Sequence, residues 1–207
     1  MKLVKSLVTA AAAALLSTAA LANATISVSS ANAPTSFIGL TGNFNPAGVN
    51  TTALFAEYGN TFQKNATVGF SAATPIKLTF VGKEAGNKNT FGVGIRTGGA
   101  SDLLFNTSAN GSSVFSSAGA GVFSFFFYDI TTSLEIANPS IAIGVAQSST
   151  NTSKALFVFN DNGSADGDYD DMVVSVTAVP EPETYAMMLA GLGLMGAVAR
   201  RRKAKQA

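Results

Sequence analysis

The sequence predicts an all-β chain whose middle, residues 25–178, forms a single β-sandwich of jelly-roll type. Three observations predict it. Apolar and polar residues alternate at a period of two in several short stretches, the spacing that sends successive side chains to opposite faces of a strand. Clusters of Gly, Asn, Ser and Thr break those stretches at the intervals of an all-β sandwich. No repeat of fixed period stands out, which argues against a solenoid or propeller.

Taken in order, residues 25–29 and 66–70 are the first predicted strands, and residues 52–58 (TALFAEY) suit a short helix or a strand equally. Ile76, Leu78 and Phe80 then alternate with Lys77 and Thr79, and Phe91, Val93 and Ile95 alternate around Gly92 and Gly94. Residues 122–128 (VFSFFFY) are too apolar to be half-exposed and predict one central buried strand. Alternation puts Phe123, Phe125 and Phe127 on one of its faces and Ser124, Phe126 and Tyr128 on the other, so they read as core rather than as a ligand-binding stripe. Ile141, Ile143 and Val145 alternate with Ala142 and Gly144, and strands at 155–159 and 172–176 complete the set. Turn-rich breaks fall at 82–89, 109–113 and 148–153.

Composition removes many function classes. Cys, His and Trp are absent from all 207 residues, which excludes disulfides, thiolate or imidazole metal ligands, Ser-His-Asp and Cys-His catalysis, and tryptophan sugar platforms. The balance of 13 basic and 12 acidic residues argues against nucleic acid as a partner, but it conceals an uneven distribution. Lys2, Lys5, Arg200, Arg201, Arg202, Lys203 and Lys205 all lie at the ends, leaving residues 25–179 with six bases against ten acids.

The N-terminal end reads as an address. Lys2 and Lys5 precede an apolar stretch from Leu7 to Leu21, and Ala22-Asn23-Ala24 supplies small residues at the two positions that signal peptidase reads. Residues 1–24 are therefore a predicted signal peptide cleaved after Ala24. An amphipathic helix of the fold would need a polar face, and this alanine-rich run has none.

The C-terminal end, residues 179–207, has three parts. Pro180-Glu181-Pro182 is a stiff extended break, since each proline fixes its own φ and disfavours helix in the residue before it. Residues 185–199 (YAMMLAGLGLMGAVA) follow without a charge, then the basic run from Arg200 to Lys205. As a helix those fifteen residues span roughly 22 Å, short of a hydrocarbon core of ~30 Å. Tyr185 at one edge and snorkelling arginines at the other offset part of the difference, giving a short transmembrane helix with its basic end in the cytoplasm. Gly191, Gly193 and Gly196 weaken the competing reading of a terminal core helix.

This order of Pro180-Glu181-Pro182, short apolar segment and Arg200, Arg201 and Arg202 resembles the PEP-CTERM sorting signal. The resemblance covers about the last 28 residues. It implies recognition and processing by exosortase, an inner-membrane sorting enzyme of Gram-negative bacteria that make exopolysaccharide. It also implies an exported protein, held transiently in the inner membrane as a precursor and matured at the cell surface or outside.

One segment of the middle concentrates chemistry: Asp161, Asp166, Asp168, Asp170 and Asp171 place five carboxylates in eleven residues. Like charges at that density need solvent or a cation, and hard oxygen ligands on a glycine-containing loop suit Ca²⁺. An EF-hand register fails: with Asn162, Ser164 and Asp166 at positions 1, 3 and 5, position 12 is Val173 instead of a bidentate Glu. An irregular calcium loop and a solvated acidic turn stand side by side, with a catalytic carboxylate well behind them.

Gly92-Val93-Gly94-Ile95-Arg96-Thr97-Gly98 lacks both the G-x-G-x-x-G spacing and a following Lys, so its glycines read as packing or a bulge rather than a phosphate loop. Glycoside hydrolysis needs two carboxyls facing across a cleft, and Glu57, Glu84, Asp102, Asp129 and Glu135 are scattered singly. The reading is a non-catalytic exported protein, structural or adhesive, associated with exopolysaccharide or biofilm. A calcium-dependent carbohydrate-binding module and a secreted carboxylate-based glycoside hydrolase are the alternatives.

Overall fold

The structure is a computed structural model that describes residues 24–37, 44–84, 86–162, 167–180, 189–197 and 201. In chain order its strands are β1 (Ile26–Ser29), β2 (Thr35–Ser36), β3 (Thr61–Lys64), β4 (Thr67–Phe70), β5 (Thr74–Gly82), β6 (Asn89–Val93) and β7 (Asp102–Phe105). They continue with β8 (Ser113–Ala118), β9 (Gly121–Val122), β10 (Phe125–Asp129), β11 (Leu134–Ala137), β12 (Ile143–Gln147), β13 (Lys154–Phe159) and β14 (Met172–Ala178). Helix α1 (Thr51–Tyr58) lies between β2 and β3, and residues 189–197 are helical. The chain is thus all-β with short helices, and Ala24–Val179 make one compact unit.

Every named strand pairing is antiparallel, in three sheets: seven strands ordered β2-β3-β12-β13-β14-β5-β8, four ordered β11-β10-β6-β7, and three ordered β1-β4-β9. The main core joins the seven-stranded sheet to the four-stranded one through phenylalanines. Phe91 and Phe125 meet Phe157 at ring-centroid distances of 5.9 and 4.5 Å, and Phe127 stacks on Phe159 at 4.6 Å. Ile26, Val68 and Phe70 of the three-stranded sheet belong to the same core.

The opposite face of the large sheet has its own core. Leu54 and Tyr58 of α1 pack with Phe37, Phe62, Leu156, Val158 and Val173. That second layer explains why β13 is apolar at nearly every position: a strand covered on both faces has no polar side to alternate. The edgeward strand β5 does alternate, burying Ile76, Leu78 and Phe80 while Lys77 and Thr79 stay half-buried. α1 begins where Asn50 Oδ1 accepts the Ala53 N–H at 3.1 Å, an N-cap.

Three expectations are corrected. Residues 122–128 are not one strand: β9 ends at Val122 in the three-stranded sheet, β10 begins at Phe125 in the four-stranded one, and Phe123 sits in the core between them. Both sheets share one core, so an apolar run can pass from one to the other without meeting water. Ile95 lies outside β6 and is 84% exposed, because Gly94, at φ +83°, ends the strand. Ile141 is likewise exposed, and β12 starts only at Ile143.

The glycine stretch reads as predicted. The β6–β7 register shifts between Phe91 and Gly92, and a Cβ at Gly92 would lie 2.0 Å from Phe126 Cζ. Phe126 occupies the space that the missing side chain leaves.

Candidate functional site

The acidic segment lies between β13 and β14, two neighbours in the large sheet. Tyr169 is pinned inside by its ring against Phe62 at 4.7 Å and by its hydroxyl, which donates to the Ile141 carbonyl. Asp170 forms an isolated parallel bridge with Phe159. With these two residues held, the carboxylates on either side of them are sent to different places.

Asp168 and Asp170 meet Glu84, which follows the end of β5. The three carboxylates bring oxygens within 4.8 Å of one another. The Glu84 N–H donates to the Asp170 carbonyl at 2.8 Å, and the Asn45 N–H donates to Asp170 Oδ2 at 2.6 Å. Asp170 is fully buried, and its Oδ1 has no hydrogen-bond partner. Burial, then the hydrogen bond with Asp168, push the Asp170 carboxyl up to about 8; the Asn45 N–H pulls the other way, and the charges of Asp168 and Glu84 add to the rise.

Asp161 and Asp171 turn toward the rim between the sheets. Asp171 Oδ2 accepts the Asp161 N–H at 2.7 Å, and Asp161 Oδ2 accepts from Asn89 Nδ2 at 2.8 Å. Asn89 pairs in register with Asp129, and the Asn106 N–H donates to its carbonyl, so three strands set a buried polar row beyond Phe91, Phe127 and Leu104. Asp129 is satisfied there by the Thr131 N–H at 2.7 Å, the Thr132 hydroxyl at 2.6 Å and Asn87 Nδ2 at 3.1 Å. Burial raises the Asp161 carboxyl; the Asn89 bond lowers it and the Asp129 charge raises it further.

The five predicted carboxylates therefore do not form one site. Asp168 and Asp170 come together, Asp161 and Asp171 face elsewhere, and Asp166 lies outside the described residues. Glu84 is the member that the sequence did not single out. No spacing signal marks it, because only the pairing of β5 with β14 brings it beside Asp170.

The remaining acids have other partners. Asp102 forms an ion pair with Arg96 at 3.0 Å, whose guanidinium stacks 3.4 Å over the Tyr128 ring, and Glu57 pairs with Lys154 at 2.8 Å. A shallow groove over the three-stranded sheet is lined by Thr25, Ser27, Ser29, Thr67 and Val122, with no carboxylate among its lining residues.

Of the sorting residues, Pro180 is half-buried and Arg201 is helical and exposed, while Glu181, Pro182, Arg200 and Arg202 lie outside the described residues. So does Ala22; Ala24 is buried against the main core. Leu189, Leu192, Leu194 and Met195 are exposed on the helical stretch 189–197. Among the described residues no helix is long and apolar enough to cross a membrane.

The sequence profile of the PEP-CTERM protein-sorting motif matches residues 178–203. No curated protein and no solved structure matches the chain.

Proposed function

We propose, from the PEP-CTERM protein-sorting motif that this chain carries at residues 178–203, that residues 25–178 are the cargo delivered by that route: a jelly-roll-like β-sandwich with a structural or adhesive task. The motif marks an exported chain processed by exosortase through a membrane-anchored precursor. Signal peptidase removes residues 1–24, residues 185–199 hold the precursor in the inner membrane, and the mature form works at the cell surface or in the exopolysaccharide of a biofilm.

The non-catalytic reading is supported by how the acids are used. Asp102 and Glu57 are held in ion pairs, and Asp129 is engaged by Asn87, Thr131 and Thr132. A hydrolase would hold two carboxyls about 5–10 Å apart across an open cleft. The groove over the three-stranded sheet, which has Thr25, Ser27, Ser29 and Thr67 beside Val68 and Val122, supports the second reading, a calcium-dependent carbohydrate-binding module.

The test is fractionation of tagged protein carrying either the native tail or alanines at Pro180, Glu181 and Pro182, with the mass of the released form measured. The variant loses its signal peptide normally but accumulates in the inner membrane. Released mature protein that still carries Arg200 to Lys205 sinks the sorting reading.

A further inference from the structure

We propose that Glu84, Asp168 and Asp170 bind one calcium ion, which ties the acidic loop to the end of β5. Their oxygens lie within 4.8 Å of one another. Two oxygens on opposite sides of a Ca²⁺, each about 2.4 Å from it, are separated by about 4.8 Å, so the three carboxylates already fit one coordination sphere.

A second observation points to a ligand independently of the acidic cluster. Asp170 is fully buried, its Oδ2 is taken by the Asn45 N–H, and its Oδ1 has neither solvent nor a hydrogen-bond donor. Buried polar atoms in native proteins are almost always satisfied, and an orphaned carboxylate oxygen beside two further carboxylates calls for positive charge: a proton shared with Asp168, or a metal cation in its place. A bound cation satisfies Oδ1 and reverses the repulsion in one step.

The donor set selects the ion. All three ligands are hard anionic oxygens, and exposed Glu84 is able to bind through one oxygen or both. Zinc prefers nitrogen and sulfur, and the chain has neither His nor Cys. Magnesium demands oxygens at about 2.0–2.1 Å in a strict octahedron and keeps its waters, so a cluster this wide suits the larger ion. Extracellular calcium modules bind at about 10⁻⁴ to 10⁻³ M. That affinity loads the site only after export, a timing that rests on the exported reading above; the binding itself does not.

Glu84 and Asp170 are far apart in sequence but adjacent through the β5–β14 pairing and the Glu84 N–H bond to the Asp170 carbonyl. An ion held between them couples metal binding to closure of that sheet, because the unfolded chain has no preformed site.

The test uses the full chain, purified in detergent, stripped with chelator and titrated with calcium. Thermal midpoint and luminescence of terbium as a calcium surrogate are the two readouts. One ion binds per chain, and millimolar calcium raises the midpoint by several degrees. Glu84→Gln weakens calcium binding about tenfold or more, while its midpoint in chelator equals or exceeds that of the native chain because one repulsive charge is gone. Asp161→Asn keeps the calcium response. Should Glu84→Gln fail to fold, Asp168→Asn is read in the same way. An identical midpoint in calcium and chelator overturns the site, as does native affinity in Glu84→Gln. A magnesium response equal to that of calcium overturns the choice of ion. The sorting experiment is independent, so failure of either proposal is distinguishable from failure of the other.

Discussion

Tyr58 shows how one side chain ties two layers together. Its ring is buried in the core between α1 and the large sheet, and its hydroxyl shares a hydrogen bond of 3.0 Å with Ser175 on β14. Burial pushes the phenol from 10.0 up to about 12; the Ser175 bond lowers it and the Glu57 charge raises it. An acid whose folded value lies above its unfolded value favours folding while it is protonated. Below pH 10 both states hold the proton and the stabilisation is complete; between pH 10 and about 12 the unfolded chain ionises first, and stability falls. The loss is on the order of 2 kcal/mol by pH 12. Denaturant midpoints followed with tyrosinate absorbance should show that decline in the native chain and a smaller one in Tyr58→Phe. An equal alkaline decline in both would remove Tyr58 as its source.

At the scale of elements, the four-stranded sheet depends on a close approach of Phe126 to backbone. Phe126 pairs in register with Gly92, and the Gly92 Cα is the place where its ring rests. A Cβ there would lie 2.0 Å from Phe126 Cζ and 2.5 Å from the Ser101 carbonyl oxygen, and the second contact is backbone that has little room to yield. Gly92→Ala should destabilise the protein by about 1–3 kcal/mol, the usual range for overpacking, and lower the urea midpoint without changing the slope. A midpoint unchanged within about 0.3 kcal/mol, a shift small enough to be typical of an uncoupled surface change, contradicts this packing. The glycine-rich run beside Arg96 is then a packing device. Arg96 itself is held by Asp102 and Tyr128.

For the whole molecule the prediction concerns sidedness. If the proposed topology holds, Lys2 and Lys5 before one apolar segment and Arg200 to Lys205 after another should both stay in the cytoplasm, with residues 25–178 exported. A reporter fused after Ala207 should be active only in its cytoplasmic form. The same reporter inserted between Thr150 and Asn151, both exposed in the turn between β12 and β13, should be active only outside. An exported-form signal from the C-terminal fusion would refute the topology. The turn suits the insertion because Thr150 and Asn151 are exposed and lie outside both strands, although the Asn151 N–H bond to Ser148 Oγ spans the insertion point and is lost there.

The all-β class, the sorting motif and most of the buried strands were legible in the sequence because each rests on local information: period-two alternation in β5, apolar runs in β13 and β14, and a tripartite tail read in order. The short strands β3, β7, β8 and β11 escaped notice, since their exposed or mixed faces carry too few apolar residues to alternate clearly. Helix α1 was ambiguous from sequence and is settled by a layer it covers, the second face of the large sheet. The acidic segment announced itself by composition alone, but composition cannot say where a carboxylate points. Tertiary structure sends Asp168 and Asp170 to Glu84, and Asp161 and Asp171 to the rim, because Tyr169 and Asp170 are fixed between strands and adjacent residues of an extended chain face opposite ways. Glu84 became visible only when β5 was laid beside β14, a contact between segments about ninety residues apart that no local pattern records.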